Sequence, residues 1–479
     1  MRNKLSEVLP LICALFANQA LAAQIARFQH IVIVVQENRT PDNLFRGLCI
    51  PASVCSSEPA NSQYNIQMSH WLDKQQKGGT IEPLPVDLDA GYDLGHGHYD
   101  FIVQCDFDPA AGRCLMDGPV SGTACSGKCP SQPVFRYVDN STGIVDPYLT
   151  MATQYGWANY MFQTNQGPSF PAHQFLFGAT SAPSAADDAA AIFAAENPAH
   201  VNTGAGCNAR AAATVEEIFP PGNETQSIYP CFEHDTLPDV LTSVWWRYYA
   251  PGPGTIWTAP NAIKHICQPN QARGGECAGP EWRKNVDLVS ADVLKDIGSC
   301  LLPDLTWVIP TGQNSDHPDA NRGGGPSWVA SIVNAIGASK CTNADGSTYW
   351  DSTAILVTWD DWGGWYDHEP PTILEQPQGD YQYGFRVPFL FISAYTPAGF
   401  IDNGRHDFGS IIRFAEHNFG VEEGVLGFAD ARAHDDLSTF FNLTLTPRPF
   451  LTIPAPLPAE YFLNDHAPQT APDDDDSPQ

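Results

Sequence analysis

The sequence predicts an α/β protein with three layers, α/β/α, around a mostly parallel central sheet, and with long disulfide-stapled loops. Three observations predict it. Short β-branched runs without polar alternation, as in residues 31–35 and 354–358, read as strands buried on both faces. Strand and helix patterns alternate through the second half of the chain, as βαβ connections require. Of 13 cysteines, Cys13 falls in the N-terminal segment and leaves an even dozen, several closely spaced.

In chain order, residues 1–23 have the form of an export signal. Arg2 and Lys4 precede an apolar stretch at about 8–17, and small residues around Ala22 offer a cleavage site. The apolar stretch is too short to span a bilayer, and the alternative to a signal is a buried helix. Residues 29–36 are the first strand. Residues 49–140, rich in Cys, Gly, Pro and Asp, form a long decorated loop region. Residues 148–160 have mixed helical character, and 168–178 resemble a helix entry. Residues 181–235 are Ala-rich and then irregular. The spacing predicts a helix over 236–249, with Asp235 placed to cap it. Strands follow at 305–309, 354–358 and 387–393. Helices follow at 327–336 and 410–419, the last closed by Gly420. Beyond about 446 the chain is Pro-rich, and it ends in a solvated acidic tail, Asp473 to Asp476. One large domain over 24–446 is expected between the signal and the segment 447–479.

The formal charge is −30 with 16% charged residues. That excludes ordinary nucleic-acid binding and electrostatic docking on anionic lipid. A site for an anionic substrate then needs its own local positive charge, which a metal ion supplies. No segment after the signal approaches transmembrane length, so stable membrane insertion is not expected. Cys49/Cys55, Cys105/Cys114, Cys125/Cys129 and Cys267/Cys277 read as disulfides of a secreted or periplasmic protein. Cys125/Cys129 could also be half of a zinc site, but no second pair at finger spacing accompanies it.

Three clusters carry chemistry. Glu37 and Asn38 directly follow the first strand, where ligands of open α/β sheets lie, and offer oxygen donors to a hard cation; the same pair also suits an ordinary turn. Asp360 and Asp361 directly follow the strand at 354–358. Adjacent carboxylates repel unless a cation lies between them, although a solvated acidic turn is the alternative. Gly363 and Gly364 permit a tight turn beside them. Ser169 precedes Pro171 at a helix start, a place for a phosphate or for a simple cap. His96, His98, His317 and His368 lie in motif contexts. His96 and His98 suit a zinc pair, or hydrogen bonds to substrate oxygens and leaving group.

Six stretches match one family in order: HIVIVVQENR (30–39), NQGPS (165–169), WVIP with DHP (307–318), TWDDWGGWYDH (358–368), GFRVP (384–388) and SIIRFAE (410–416). The chain resembles the bacterial phospholipase C and acid phosphatase A phosphoesterases, which are similar in fold to alkaline phosphatase. The resemblance implies one divalent ion held by Glu37, Asn38, Ser169, Asp360 and Asp361. An all-oxygen set suits Ca²⁺, Mg²⁺ or Mn²⁺ better than Zn²⁺. It further implies Ser169 as nucleophile, with His96 and His317 at the phosphoryl group or leaving group. Asp42 would orient the site, and His368 would contact substrate; His98, from its spacing to His96, is the other residue expected to contact substrate. The family's Asp-His-Thr-Ser stretch reads Asp407-Phe-Gly-Ser410 here, leaving His406 as the nearest histidine. Because the chain ends soon after the last motif, a short phosphatase of broad specificity is expected, on small phosphate esters. A phospholipase C is the second reading, with Trp362, Trp365 and Tyr366 either as an apolar rim or as packing. A metal-binding or adhesion protein that has lost catalysis is the third. The sequence leaves the oligomeric state open.

Overall fold

The computed structural model describes residues 28–465 apart from 119–122, 132–133, 200–203, 221, 253, 319 and 373–382. The expected signal and the acidic tail lie outside the described residues. An eight-stranded sheet forms the centre. Its strands are β1 (His30–Gln36), β2 (Gly156–Phe162), β3 (Trp246–Tyr249), β4 (Val286–Asp287), β5 (Leu305–Val308), β6 (Thr353–Trp359), β7 (Phe389–Ile392) and β8 (Phe400–Asp407). Their order is β4-β3-β5-β1-β6-β7-β2-β8. Every neighbouring pair is parallel except those made by β7, which runs antiparallel to both β6 and β2.

Every residue of β1 and of β6 is buried. A strand buried on alternate side chains in both directions must be covered on both faces, which is why these segments read as unbroken apolar runs. Two separate sets of helices provide the cover. The main helices are α1 (His98–Cys105), α2 (Asp146–Gln154), α3 (Ser169–Gly178), α4 (Asp292–Gly298), α5 (Gly325–Gly337) and α6 (Phe408–Phe419). One set packs α2, α4, Tyr349–Ser352 and Ala459–Leu463 around α5; the other joins α3 to α6 and Phe428–Arg432. The three-layer expectation is met. The Pro-rich segment belongs to the first layer. Asn334 of α5 exchanges two hydrogen bonds with the Ile453 backbone, and Trp328 packs edge-on against Phe462.

Two segments depart from the sequence reading. The helix expected over 236–249 stops at Val240, and Trp246–Tyr249 is strand β3, paired in register with β5. Its aromatic residues fill a half-buried pleated surface better than a helix face, so sheet pairing overrides the local pattern. Its cap is Thr236, not Asp235, closed reciprocally by Asp239. Residues 148–160 likewise divide at Tyr155 into the end of α2 and the start of β2. The region after 181 includes a small antiparallel sheet of Phe193–Ala194, Val215–Phe219 and Asn223–Ile228.

All four expected cysteine pairs are disulfides, joined by Cys207–Cys231 and Cys300–Cys341. Cys125 and Cys129 are thus bonded to each other and are not a zinc half-site.

His406 lies in β8 as a buried structural cation, not in a catalytic group. Its Nε2 is 3.1 Å from Asp402 Oδ1 and its Nδ1 2.8 Å from Asp435 Oδ2. Burial lowers its pKa, but the two carboxylates outweigh that and raise it to about 9. A group protonated more tightly when folded contributes stability in full below its unfolded pKa of about 6.5 and loses it as pH rises through 9. Thermal unfolding of wild type and His406→Gln should therefore differ most at pH 6. The difference should shrink by up to about 3 kcal/mol between pH 6.5 and 9. A difference that stays constant across that window would contradict the charged assignment.

Candidate active site

The site begins with the register of two strands. β1 and β6 run parallel with His30 opposite Thr353 and Gln36 opposite Trp359. The next residues, Glu37-Asn38 and Asp360-Asp361, therefore emerge side by side from the carboxyl edge of the sheet. Asp360 donates its backbone N–H to the Gln36 carbonyl, and Asn38 donates its own to Asp360 Oδ1 at 3.1 Å. Asn38 sits in the left-handed region at φ 59°, which asparagine tolerates better than most residues.

Helix α3 brings Ser169. The sequence left open whether this serine is a helix cap. It is the first helical residue, Pro168 holds the cap position, and the hydroxyl donates to Asp361 Oδ2 at 3.1 Å. The neighbouring Phe170 N–H is met by Asn197 Oδ1 instead. Ser169 thus serves the carboxylates and not its own helix.

Glu37, Asn38, Ser169, Asp360 and Asp361 are all buried. Both oxygens of Glu37, Oδ1 of Asn38 and Oδ2 of Asp360 have no hydrogen-bond partner. Burial, then Asp360 and Asp361, push the Glu37 carboxyl far above its ordinary range. Burial and Asp360 do the same to Asp361. Asp360 is the low member: burial raises it, but its contacts with Glu37, His173 and Ser169 and the Asn38 N–H outweigh that. Three carboxyl groups cannot all be ionised here without a compensating cation.

Two histidines flank the cluster. His96 accepts from Asn38 Nδ2 at 3.1 Å through Nε2 and meets the Leu94 carbonyl at 2.7 Å through Nδ1. The carbonyl can only accept, so the proton lies on Nδ1. This arrangement also orients the Asn38 amide, leaving Oδ1 without a partner. His317 lies with its ring 6.4 Å from that of His96, and Asp93, His96 and His317 bring one ligand atom each within 4.8 Å of one another.

Three residues expected at the site go elsewhere. His98 starts α1, and its Nδ1 pairs with Glu224, so it does not form a pair with His96. Asp42 accepts from the Gln67 and His368 N–H groups, and His368 Nδ1 meets its Oδ2 at 2.7 Å. With Asp367 and Arg386 they form a separate buried network, in which Arg386 holds Asp367 through paired bonds of 2.8 and 2.9 Å. Trp362, Trp365 and Tyr366 are packed inside two aromatic clusters and form no exposed rim.

Two contributors escaped the sequence reading. His173 stands one helical turn after Ser169 and places Nε2 3.3 Å from Glu37 Oε1; its spacing from Ser169 was the available signal. Burial pushes its pKa down to about 4. Asp316 accepts from Tyr148 at 2.8 Å and from the Trp359 indole at 3.0 Å, while Arg39 Nε donates to its backbone carbonyl. This knot anchors the turn after β1 to the loop carrying His317. Nothing local marks Asp316 as more than the neighbour of a histidine.

An eight-stranded mixed sheet with acidic and amide pairs at the ends of two central strands, met by a serine at the start of a helix, defines an α/β protein with a charged, buried site. Residues 28–422 match the model of the Phosphoesterase family, and the chain belongs to that family. Its curated relatives include a non-hemolytic phospholipase C of Pseudomonas aeruginosa, 27% identical over 188 residues. That match covers 34% of this chain and 25% of the relative. Phospholipase C B of Mycobacterium tuberculosis is 29% identical over 181 residues, 33% of each chain. The matched stretches thus span a quarter to a third of these relatives. A solved protein of the alkaline phosphatase superfamily from Vibrio parahaemolyticus is similar at a TM-score of 0.31 and 11% identity, over 62% of this chain and 64% of that one.

The Gly363-Gly364 turn lets three segments meet. Both residues have positive φ, and a Cβ on Gly363 would lie 2.5 Å from the Asn38 carbonyl oxygen, one on Gly364 2.6 Å from that of Gly95. Gly363→Ala should cost roughly 1–3 kcal/mol in denaturant unfolding, with an unchanged slope. It should also displace Asn38. A variant as stable as wild type would show that the close approach is not required.

Proposed function

We propose that this protein is a secreted, metal-dependent phosphoesterase that hydrolyses small phosphate esters through a phosphoserine formed on Ser169. Family membership supports a hydrolase of phosphoric esters. The observation that carries the finer reading is the Ser169 hydroxyl, bound to Asp361 within a buried set of carboxylate and amide oxygens that have no donor. Such a set fits a divalent cation, because oxygens facing each other at zero exposure are otherwise uncompensated. Glu37, Asn38, Ser169, Asp360 and Asp361 would hold it. When bound, the ion lowers the pKa of a coordinated hydroxyl and neutralises charge on a phosphoryl group.

The protein's own groups divide the remaining work. Asp361 Oδ2 already accepts the Ser169 proton in a hydrogen bond, so the hydroxyl is oriented and its proton has an acceptor. The start of α3 directs its dipole toward an anion beside Ser169, although the Phe170 N–H is already held by Asn197 and Pro171 has none. Both ring nitrogens of His96 are engaged, so it positions Asn38. Protonation of the leaving group is assigned to His317, whose ring lies beside that of His96. Asp42 and His368 brace the turn after β6, and His98 braces α1, without touching the ester.

The phosphomonoesterase reading is supported by the burial of Trp362, Trp365 and Tyr366, which removes these three as an apolar rim for a lipid. Phospholipase C activity is the second reading, favoured by the names of the curated relatives. Six disulfides fit an oxidising compartment, and no helix among the described residues is long and apolar enough to cross a membrane.

Ser169→Ala should reduce turnover of p-nitrophenyl phosphate by roughly 10³-fold or more. Acid quenching of wild type with labelled substrate should trap phosphate on Ser169. Unchanged turnover in the variant would instead support a binding protein. Chelation should abolish activity and divalent ions should restore it. Equal or faster turnover of phosphatidylcholine micelles than of p-nitrophenyl phosphate would move the assignment to phospholipase C.

A further inference from the structure

Helix α3 carries a second side chain into the carboxylate cluster. His173 lies 3.3 Å from Glu37 Oε1 and 3.6 Å from Asp360 Oδ2 through its Nε2, and its side chain is 1% exposed. Neither contact is aligned as a hydrogen bond, and Nε2 has no hydrogen-bond partner. On the other side of the ring, Nδ1 is 3.5 Å from the Tyr248 hydroxyl. That hydroxyl donates its proton to the Trp257 carbonyl at 2.8 Å, so it turns an oxygen lone pair toward His173. The imidazole proton accordingly belongs on Nδ1. Nε2 is left with a lone pair close to two carboxylate oxygens, which is repulsive unless a cation stands among the three.

We infer that His173 Nε2 is a nitrogen ligand of the divalent ion, making this a mixed nitrogen–oxygen site that selects Mn²⁺, Co²⁺ or Zn²⁺ over Ca²⁺ and Mg²⁺. This assignment, which rests on reading the cluster as a metal site, changes the chemistry expected of the all-oxygen set. Imidazole suits first-row transition ions, whereas carboxylate, amide and hydroxyl oxygens alone suit hard ions. Tyr248 has the position of the outer partner that fixes the tautomer and ring orientation of a ligating histidine.

The test uses the full chain, stripped with chelator and loaded with Mn²⁺ alone. Pulsed electron paramagnetic resonance should show ¹⁴N modulation from a directly bound imidazole, and His173→Ala should lose it while keeping a wild-type near-ultraviolet circular dichroism spectrum. Bound Mn²⁺ without ¹⁴N modulation in the wild type would overturn the inference but leave the metal site standing. Modulation that persists in His173→Ala would also overturn it, by assigning the nitrogen to another histidine. Failure of the wild type to bind any divalent ion would remove the metal site itself. His173→Gln gives an independent reading by metal competition. Mn²⁺ affinity should fall roughly tenfold or more while Mg²⁺ affinity changes by less than about threefold. Equal losses for both ions would mark His173 as a structural support only.

Discussion

Two parallel strands in exact register bring Glu37-Asn38 and Asp360-Asp361 together, more than 300 residues apart in sequence. Much of the surrounding structure manages the consequence. Carboxylates this close and this deeply buried repel, and each must be desolvated. The Asn38 and Asp361 N–H groups satisfy one oxygen of Asp360, and the Gly363 N–H and the Ser169 hydroxyl satisfy Asp361. The oxygens left over face inward. The protein has thus built a site whose uncompensated charge is concentrated at one place and balanced elsewhere by backbone donors.

The scaffold is rigid where that charge is held. β1 and β6 are covered on both faces, and the Asp316 knot ties Tyr148 of α2 and Trp359 of β6 to its carboxylate and Arg39 beyond β1 to its backbone carbonyl. Burial lifts Asp316 to about 6 although Tyr148, Arg39 and Trp359 pull it down. Arg39 is fully enclosed and rests over the Trp365 ring. An arginine buried in this way is a structural cation: it neutralises the neighbourhood without reaching the carboxylates themselves. A second buried pair, Arg386 with Asp367, does the same where Asp42 and His368 meet. The overall charge of −30 makes these internal cations more consequential, because the surface supplies little positive field of its own.

The histidines show how one residue type is put to different uses by its surroundings. His96 is locked between a carbonyl and an amide, and so sets the orientation of Asn38. His406 is held between two aspartates and is protonated well above neutrality. His173 is enclosed and stays neutral far below it. Their sequence contexts do not announce these differences. The partners come from elements remote in the chain.

What the sequence determined by itself was local and periodic. Unbroken β-branched runs identified β1 and β6, because strands covered on both faces leave no place for polar alternation. Acidic and amide pairs directly after them marked the sheet edge as the candidate site, and close cysteine pairs marked four of the six disulfides among the described residues. Tertiary structure decided the rest. β3 was hidden in a helical pattern, because its pairing with β5 is a property of both strands. His98, Asp42 and His368 left the expected site because Glu224 pairs with His98, Arg386 lies beside Asp42, and Asn65 Oδ1 meets His368 Nε2 at 2.8 Å. His173 entered the site because a helix turn, set by where α3 starts, aims it at Glu37. Sequence shows which groups can ionise, but only packing shows which of them share a buried volume, and in such a volume charge is decided by neighbours.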